Sequence, residues 1–124
     1  MTDIVITSAK RTPIGKFMGS LSCYSAPELG KFVLESIFED SKIEKKLIDE
    51  VIMGQVLTGG SGQNPARQTL MMSDIPEDKS AVTINQVCGS GLRAVSLGAQ
   101  SIMTHQSKIV VAGGQESMSN AHHT

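Results

Sequence analysis

The part of the sequence best suited to chemistry is TINQVCGSGLRAV, which contains Cys88. A β-branched segment precedes this thiol and a helical pattern follows it, so Cys88 is predicted to lie where a strand turns into a helix. Helix N-termini carry partial positive charge and favour the thiolate, the nucleophilic form of cysteine. The backbone N–H of Cys88 or of its neighbour Gly89 would then face an oxyanion. Gly89 and Gly91 would let the backbone turn sharply and leave room for a substrate to approach. The pattern indicates acyl transfer, although an inert cysteine at a tight packing point fits these residues equally well.

The same residues also match the GxGxxA fingerprint of dinucleotide-binding domains, from Gly89 to Ala94. Glu116 lies at about the distance at which such domains place a ribose-binding carboxylate. Two features count against this alternative. The preceding strand reads VTINQV rather than a continuous apolar run, and the fingerprint follows the third predicted strand instead of the first. We interpret the polar Asn85 and Gln86 first as side chains that hold neighbouring loops.

The elements that must position Cys88 follow one another in the order β-α-β-α-β-α-β. Residues Ile4 to Ile6 are predicted as the first strand, which Pro13 ends. Ser25 and Glu28 form a capping-box pattern at the start of the next helix. The later elements are a short helix in IEKKLIDE, a strand in VIMGQVL, a helix in NPARQTLMMSD, a strand in AVTINQV, a helix in GSGLRAVSLGAQSIMTH and a strand in KIVVAGG. This alternation predicts one α/β domain with a parallel-type sheet and right-handed crossovers.

Apolar residues at helical spacing are predicted to form the core. In the first helix they are Leu29, Phe32, Val33, Ile37 and Phe38; in the short helix Ile43, Leu47 and Ile48; in the last helix Leu92, Val95, Ala99, Ile102 and Met103. Asn64 is predicted as the N-cap of the middle helix, with Pro65 as its first residue.

Composition narrows the possible functions. A chain of 124 residues with 40% hydrophobic and 19% charged residues is typical of one globular domain. The net charge of −1 and the 3% aromatic content give no basis for binding nucleic acid or an anionic membrane. The sequence begins without the pattern of a signal peptide and lacks a long apolar run. Cys23 and Cys88 show no CxxC spacing, so we expect free thiols and a cytoplasmic protein.

Four motifs together resemble the thiolase family, and most closely the biosynthetic type of acetyl-CoA acetyltransferase. They are SAKRTPIGKFMGSL near the start, GQNPARQ, NQVCGSGLRAV and VAGGQESMSNA, and they occur in the order and spacing of the family. The resemblance extends from Ile4 to about Ala121. It implies that residues 1–124 form the N-terminal half of a thiolase, ending before or at the start of the loop domain, with a layered mixed sheet and helices on both faces.

The resemblance also implies roles for single residues. Cys88 would be the nucleophile that holds the acyl group as a thioester, with Gly89 giving backbone support to the oxyanion. Met118 would lie near the floor of the active site, and Gln63, Asn64 and Arg67 near a subunit contact. The substrates would be acyl-CoA thioesters, with no metal and no further cofactor, and the protein a homodimer or higher oligomer.

In the family, the remaining acid and base residues belong to the other half of the subunit, so the isolated chain is expected to be nearly inactive in condensation. Cys23 matches no catalytic motif, and we assign no metal to His122 and His123. A non-catalytic remnant that only folds and self-associates is the main alternative, and a dinucleotide-binding half-domain the other.

Overall fold

Three parallel strands form the sheet that carries the candidate site. The computed structural model describes residues 3–123. In that range the strands are β1 (Glu50–Gly54), β2 (Ser80–Ile84) and β3 (Val110–Gly114), in the spatial order β2-β1-β3. The helices are α1 (Ala26–Ser41), α2 (Pro65–Met72) and α3 (Ser90–Met103), and 3-10 turns occupy Lys45–Leu47 and Met118–Asn120. Both strand pairs are parallel, so the predicted α/β class with a parallel-type sheet is confirmed.

Helices cover both faces of the sheet. Side chains of a strand alternate between its faces, so Val51 and Met53 point to one side of β1 and Ile52 to the other. Val51 and Met53 join the core with α1 and α2, whereas α3 packs on β1 and β3. The buried core consists of Leu34, Phe38, Ile48, Val51, Met53, Ala66, Leu70, Ile75 and Val111. Among residues 3–123, no helix has the length and apolarity that crossing a membrane requires.

Side-chain caps start two of the helices where the sequence predicts. The Ser25 N–H donates to Glu28 Oε2 at 2.7 Å, and Ser25 Oγ accepts from the Glu28 N–H, which completes the capping box of α1. The Ser25 N–H, and after it the Ser25 hydroxyl, which donates to Glu28 Oε2 at 2.8 Å, lower the pKa of the Glu28 carboxyl. At α2, Asn64 Oδ1 accepts from the Arg67 N–H at 3.2 Å and Pro65 is the first residue. Both predicted caps are therefore confirmed.

The predicted first strand is absent. The backbone of residues 3–16 has no regular secondary structure, and 71% of Val5 and 75% of Ile6 are exposed. Within the part of the chain that the structure describes, no backbone–backbone hydrogen bond engages residues 4–12. β-branched residues favour a strand only when a neighbouring strand is present to pair with, and here no partner adjoins the segment. The short helix predicted in IEKKLIDE is likewise reduced to the 3-10 turn Lys45–Leu47.

Part of the predicted core is exposed. Phe38 and Ile48 are buried as predicted, but Leu92 is 80%, Met103 64% and Leu47 49% exposed. Phe32 and Val95 are also exposed, at 41% and 38%. Other residues of the predicted core line an open cavity, because no element covers their side of α1 or α3: Leu29, Val33, Ile37, Ala99 and Ile102. The helical spacing was correct, whereas the assumption that every apolar stripe is covered was wrong.

Asp49 ties the start of β1 to the start of β3. Its Oδ2 accepts from the backbone N–H groups of Lys108 at 2.7 Å and of Ile109 at 3.1 Å. These two hydrogen bonds hold the pKa of Asp49 below its ordinary value. A carboxylate with a lowered pKa in the folded state stabilises the fold above its ordinary pKa, and this contribution disappears as the pH falls through the folded pKa.

We therefore expect Asp49→Asn to lower the free energy of unfolding at pH 7 by about 1 kcal/mol. This value is small for hydrogen bonds to a charged acceptor, because Asp49 is half-exposed and solvent screens its charge. The difference between variant and wild type should shrink as the pH falls through the acidic range. Urea unfolding at several pH values measures both effects. Asp78→Asn, at an exposed position in the same part of the fold, serves as the control and should retain the wild-type pH dependence. A pH-independent difference for Asp49→Asn would contradict the assignment.

Candidate active site

Cys88 lies in the turn between β2 and α3, as predicted. β2 ends at Ile84 and α3 begins at Ser90, so the thiol directly precedes Gly89, the N-cap residue of α3. The cysteine is free and exposed. This exposure removes the alternative of a buried, inert thiol. No side chain caps the N-terminus of α3, so the positive end of the helix lies uncapped beside Cys88.

Ser90 fixes the turn that presents Cys88. Its hydroxyl oxygen accepts from the Gln86 N–H at 2.7 Å and donates to the Val87 carbonyl oxygen at 2.6 Å. Asn85 adds a second brace, because its Oδ1 accepts from the Val87 N–H at 2.9 Å while its Nδ2 donates to the Val56 carbonyl oxygen. Asn85 thus holds neighbouring loops, as interpreted from the sequence. Sequence reasoning missed Ser90, although a serine in the first turn of a helix is a common local hydrogen-bonding residue.

Val87 has a φ of 50°, which places a β-branched residue in the left-handed region just before Cys88. Such a conformation costs about 1–3 kcal/mol and persists where its surroundings enforce it. Here the Ser90 and Asn85 side chains enforce it. The sharp turn therefore does not depend on Gly89, whose φ of −85° is open to any residue. The Gly89 N–H donates to the Gln86 carbonyl oxygen at 3.1 Å within the turn.

Replacing Ser90 with alanine tests this bracing. Ser90 is only 4% exposed, and its replacement leaves the Gln86 N–H without its acceptor. The Val87 carbonyl oxygen loses the hydroxyl donor but keeps the Ser90 N–H at 3.1 Å. We expect a loss of about 1–3 kcal/mol in the free energy of unfolding, together with a changed alkylation rate at Cys88. Ser96→Ala, at an exposed position of the same helix, is the control and should change neither quantity. An unchanged Cys88 rate in Ser90→Ala would show that the serine does not position the thiol.

Close backbone contacts seat the start of α3 on the sheet. A Cβ added to Gly54 of β1 would lie 2.5 Å from Ser90 Cβ and 2.6 Å from the Ser90 carbonyl carbon. A Cβ on Gly114 of β3 would lie 3.2 Å from Gly91 Cα. Gly91, which the sequence suggested as room for a substrate, therefore also serves helix–strand packing. These glycines place the N-terminus of α3 directly against the carboxyl ends of β1 and β3.

A polar network lies beneath the same edge of the sheet. Gln115 Nε2 donates to Gln55 Oε1 at 3.1 Å, and Thr69 Oγ1 donates to Gln115 Oε1 at 2.7 Å. All three residues are at most 7% exposed. Sequence reasoning missed this network, although a glutamine directly follows each of β1 and β3. The network joins β1, β3 and α2, and so fixes the edge on which Cys88 sits.

The segment after β3 orders the loop that precedes α1. Ser117 Oγ donates to the Tyr24 carbonyl oxygen at 3.0 Å, and Asn120 Nδ2 donates to the carbonyl oxygens of Ser22 and Tyr24, both at 2.9 Å. Met118 lies in this segment and is 54% exposed. Met118 and Cys88 thus follow different strands at the same edge of the sheet, with β1 between them.

The polar residues of GQNPARQ hold loops. Asn64 Nδ2 donates to the Ala81 carbonyl oxygen at 3.1 Å, and the Arg67 guanidinium donates to the carbonyl oxygens of Lys79 and Glu77, both at 2.7 Å. Gln63 is exposed, and its carbonyl oxygen accepts from Gln68 Nε2 at 3.0 Å. These contacts brace β2 from its outer side.

The dinucleotide-binding alternative finds no support. Glu116, its proposed ribose ligand, accepts from the backbone N–H groups of Val56 at 2.7 Å and Leu57 at 3.2 Å. β2, the strand before the fingerprint, is an edge strand of the described sheet rather than its centre. Among the described residues, His, Cys, Asp and Glu side chains do not gather in threes as a metal site would require.

An exposed thiol beside a helix N-terminus is a setting in which cysteine becomes a nucleophile, and here it lies in a parallel α/β domain. The family described as thiolase, N-terminal domain, matches residues 4–124. The chain belongs to the thiolase family, as the sequence motifs predict.

Similar proteins agree with this assignment. The chain is 56% identical over 123 residues to an acetyl-CoA acetyltransferase of Cupriavidus necator and 52% identical over 123 residues to a probable acetyl-CoA acetyltransferase of Escherichia coli. The matches cover 99% of this chain but 31% of each relative. A thiolase from Ascaris suum, Acat5, solved in complex with coenzyme A, superposes with a TM-score of 0.88 at 46% identity, covering 90% of this chain and 29% of that one. The chain therefore spans about a third of the length of these relatives.

Proposed function

We propose that Cys88 is the acyl-accepting nucleophile of a thiolase that acts on acetyl-CoA. The observation that carries the proposal is the exposed Cys88 thiol in a braced turn beside the uncapped N-terminus of α3. The two relatives compared above are named for acetyl-CoA acetyltransferase activity, and the Ascaris suum neighbour was solved with coenzyme A. The proposal extends to residues 1–124 as the N-terminal thiolase domain.

The first chemical step is an exchange of thioesters. The Cys88 sulfur attacks the carbonyl carbon of acetyl-CoA, a new carbon–sulfur bond forms, and the bond to the coenzyme A sulfur breaks. Coenzyme A leaves as its thiol, taking up the proton that Cys88 gave up. Bond energies change little because one thioester replaces another, and covalent capture divides a difficult step into two. We assign the developing oxyanion to the positive end of α3 and the backbone N–H of Cys88. The Gly89 N–H, the other donor predicted from the sequence, donates to the Gln86 carbonyl oxygen at 3.1 Å and is engaged within the turn.

In the complete reaction a second acetyl-CoA loses an α-proton, and its carbanion attacks the acyl group on Cys88. The products are acetoacetyl-CoA and coenzyme A, and the reverse reaction follows the same path. We assign Met118 to the substrate pocket, since it is exposed at the same edge of the sheet. We propose acyl-CoA thioesters as substrates with no further cofactor, a homodimer or higher oligomer, and a cytoplasmic location in keeping with the free thiols Cys23 and Cys88.

Mass spectrometry of the 124-residue protein after incubation with acetyl-CoA tests the proposal. We expect one acetyl group on the peptide that contains Cys88, formed faster than any adduct on Cys23, which is exposed in a loop and serves as the internal control. Sustained acetoacetyl-CoA formation is not expected, because the resemblance places the other acid and base groups outside this stretch. Equal labelling of both cysteines would contradict the proposal.

The alternative of a remnant that only folds and self-associates has one observation in its favour. Large apolar side chains are exposed on several elements, including Ile14 at 90% and Leu92 at 80%, and exposed apolar patches drive association. Association without acetylation of Cys88 would favour this alternative over acyl transfer.

A further inference from the structure

Hydrogen bonds join the carboxyl ends of the three strands in a row, beyond the sheet itself. Glu116 lies just after β3, Val56 just after β1 and Asn85 directly after β2. The Glu116 carboxylate accepts from the Val56 N–H at 2.7 Å, and the Val56 carbonyl oxygen accepts from Asn85 Nδ2 at 3.2 Å. The chain bends at Val56, and this one residue thereby links the end of β3 to the end of β2.

Asn85 extends this link to the turn that presents Cys88. Its Oδ1 accepts from the N–H of Val87 at 2.9 Å, and Val87 is the residue held at a φ of 50° directly before the thiol. The side chain of Asn85 must accept from an N–H and donate to a carbonyl oxygen, which an amide does at neutral pH and a carboxylate does not. Any movement of Val56 therefore moves the side chain that holds Val87. We call the row Glu116, Val56, Asn85 and Val87 the strand-end bridge.

A carboxylate at position 116 is well suited to fix Val56. Its second oxygen accepts from the Leu57 N–H at 3.2 Å, so one side chain satisfies two consecutive peptide groups where the chain leaves β1. Among the described residues, neither of these N–H groups has a backbone acceptor. Hydrogen bonds to an ionised acceptor are about twice as strong as neutral ones. A glutamine of the same length would accept from one N–H and direct its own NH2 group at the other.

The backbone of Glu116 is itself held on both sides. The preceding Gln115 is 7% exposed, and its N–H donates to the Gly54 carbonyl oxygen at 2.9 Å. The following Ser117 donates its hydroxyl to a carbonyl oxygen of the loop before α1 at 3.0 Å. Because its backbone is fixed, Glu116 loses little further conformational freedom when its carboxylate binds Val56.

We propose that Glu116 is a positioning residue for Cys88 and acts through the strand-end bridge. The carboxylate fixes Val56, Val56 fixes the amide of Asn85, and the amide holds the left-handed turn before the thiol. Ser90 braces the same turn independently, so loss of the carboxylate should loosen the turn without abolishing it. The proposal rests on the proposed function for the role of Cys88 as the nucleophile, whereas the bridge rests on geometry alone.

Hydrogen exchange in Glu116→Gln tests the bridge in the intact 124-residue protein. The decisive amide is that of Val87, which Glu116 does not contact. We expect this amide to exchange about fivefold faster than in the wild type, as the net loss of one hydrogen bond predicts. The amides of Val56 and Leu57, which the carboxylate does contact, should also exchange faster.

Alkylation by iodoacetamide at pH 7 measures the consequence for the thiol. A thiol that leaves its place beside the N-terminus of α3 loses the field that favours the thiolate. Cys88 should therefore react about threefold more slowly in Glu116→Gln, while Cys23 reacts at the wild-type rate. Neither measurement uses acetyl-CoA. Failure of wild-type Cys88 to acetylate would contradict the proposed function, whereas unchanged exchange at Val87 in the variant would contradict the positioning role.

Glu28→Gln is the matched control. The Glu28 carboxylate also accepts from a backbone N–H at 2.7 Å and is likewise half-buried, but it belongs to the capping box of α1. This variant should lower the free energy of unfolding without changing exchange at Val87 or alkylation at Cys88.

Asn85→Asp interrupts the bridge at its other end, because a carboxylate still accepts from Val87 but no longer donates to Val56. Two residues that act in one series are not additive. The double variant with Glu116→Gln should therefore slow Cys88 alkylation by no more than about the larger of the two single effects.

Four outcomes would overturn the proposal. They are faster exchange confined to Val56 and Leu57, alkylation of the thiol at the wild-type rate in Glu116→Gln, an equal change in Glu28→Gln, and multiplied effects in the double variant. The first two would make the carboxylate an anchor for the loop after β1 alone. The third would assign the effect to a general loss of stability, and the fourth would show that the two side chains act independently.

Discussion

Cys88→Ser is expected to abolish the acetyl adduct that the wild-type chain forms with acetyl-CoA. A serine hydroxyl at this position stays neutral near pH 7 and is a far weaker nucleophile than a thiol, so the rate should fall by at least about two orders of magnitude. The turn should survive, because its hydrogen bonds come from Ser90 and Asn85 and none from the Cys88 side chain. Intact-protein and peptide mass spectrometry over a time course of acetyl-CoA measures the rate.

Cys23→Ser is the matched control, since it removes the other exposed thiol of the chain and leaves the turn before α3 untouched. This variant should acetylate at the wild-type rate. An adduct that persists in Cys88→Ser and disappears in Cys23→Ser would identify Cys23, and not Cys88, as the nucleophile. Loss of labelling in both variants would indicate that neither thiol acts alone.

The elements whose determinants are local could be predicted from the sequence. The capping box of Ser25 and Glu28 and the N-cap at Asn64 depend on residues within one turn of helix, and both are present. The placement of Cys88 depends on the change from a strand period to a helical one, which is also a local signal. The four motifs identified the family, because four motifs in a fixed order over most of the chain are far more specific than any single motif.

What could not be predicted depends on partners distant in sequence. Ile4 to Ile6 have the composition of a strand, but a strand forms only against another backbone, and the described chain places a cavity there. The same absence of a covering element exposes Leu92, which lies on a correctly predicted helix. Burial is a property of the whole assembly of elements, and helical spacing alone does not fix it.

The details of the site also depend on tertiary contacts. The left-handed Val87 has no sequence signal, because valine is among the residues least suited to that conformation. Its conformation is imposed by Ser90, whose hydroxyl reaches back across the turn. The glycines after Cys88 correctly indicate a site of close approach, but the sequence does not show what approaches. Gly91 predicts room for a substrate, and its position against Gly114 shows that it also lets α3 lie close to the sheet.

Gly54→Ala is expected to be the most damaging single substitution near the site. An added Cβ would lie 2.5 Å from Ser90 Cβ and 2.6 Å from the Ser90 carbonyl carbon. A flexible side chain could rotate away from such a contact, but the carbonyl carbon belongs to the first turn of α3 and moves only with the helix. Overpacking of a core costs about 1–3 kcal/mol, and we expect the upper end of that range or more here. The displaced helix would also move Cys88 and change its alkylation rate.

Gly113→Ala provides the matched control, since it adds the same methyl group to a neighbouring strand position where the nearest atom, Met53 Sδ, lies 4.0 Å away. It should change the free energy of unfolding by less than about 1 kcal/mol. Urea unfolding and Cys88 alkylation measure both variants. Wild-type stability and alkylation in Gly54→Ala would mean that α3 can shift on the sheet without disturbing the thiol, and that the site does not depend on their close approach.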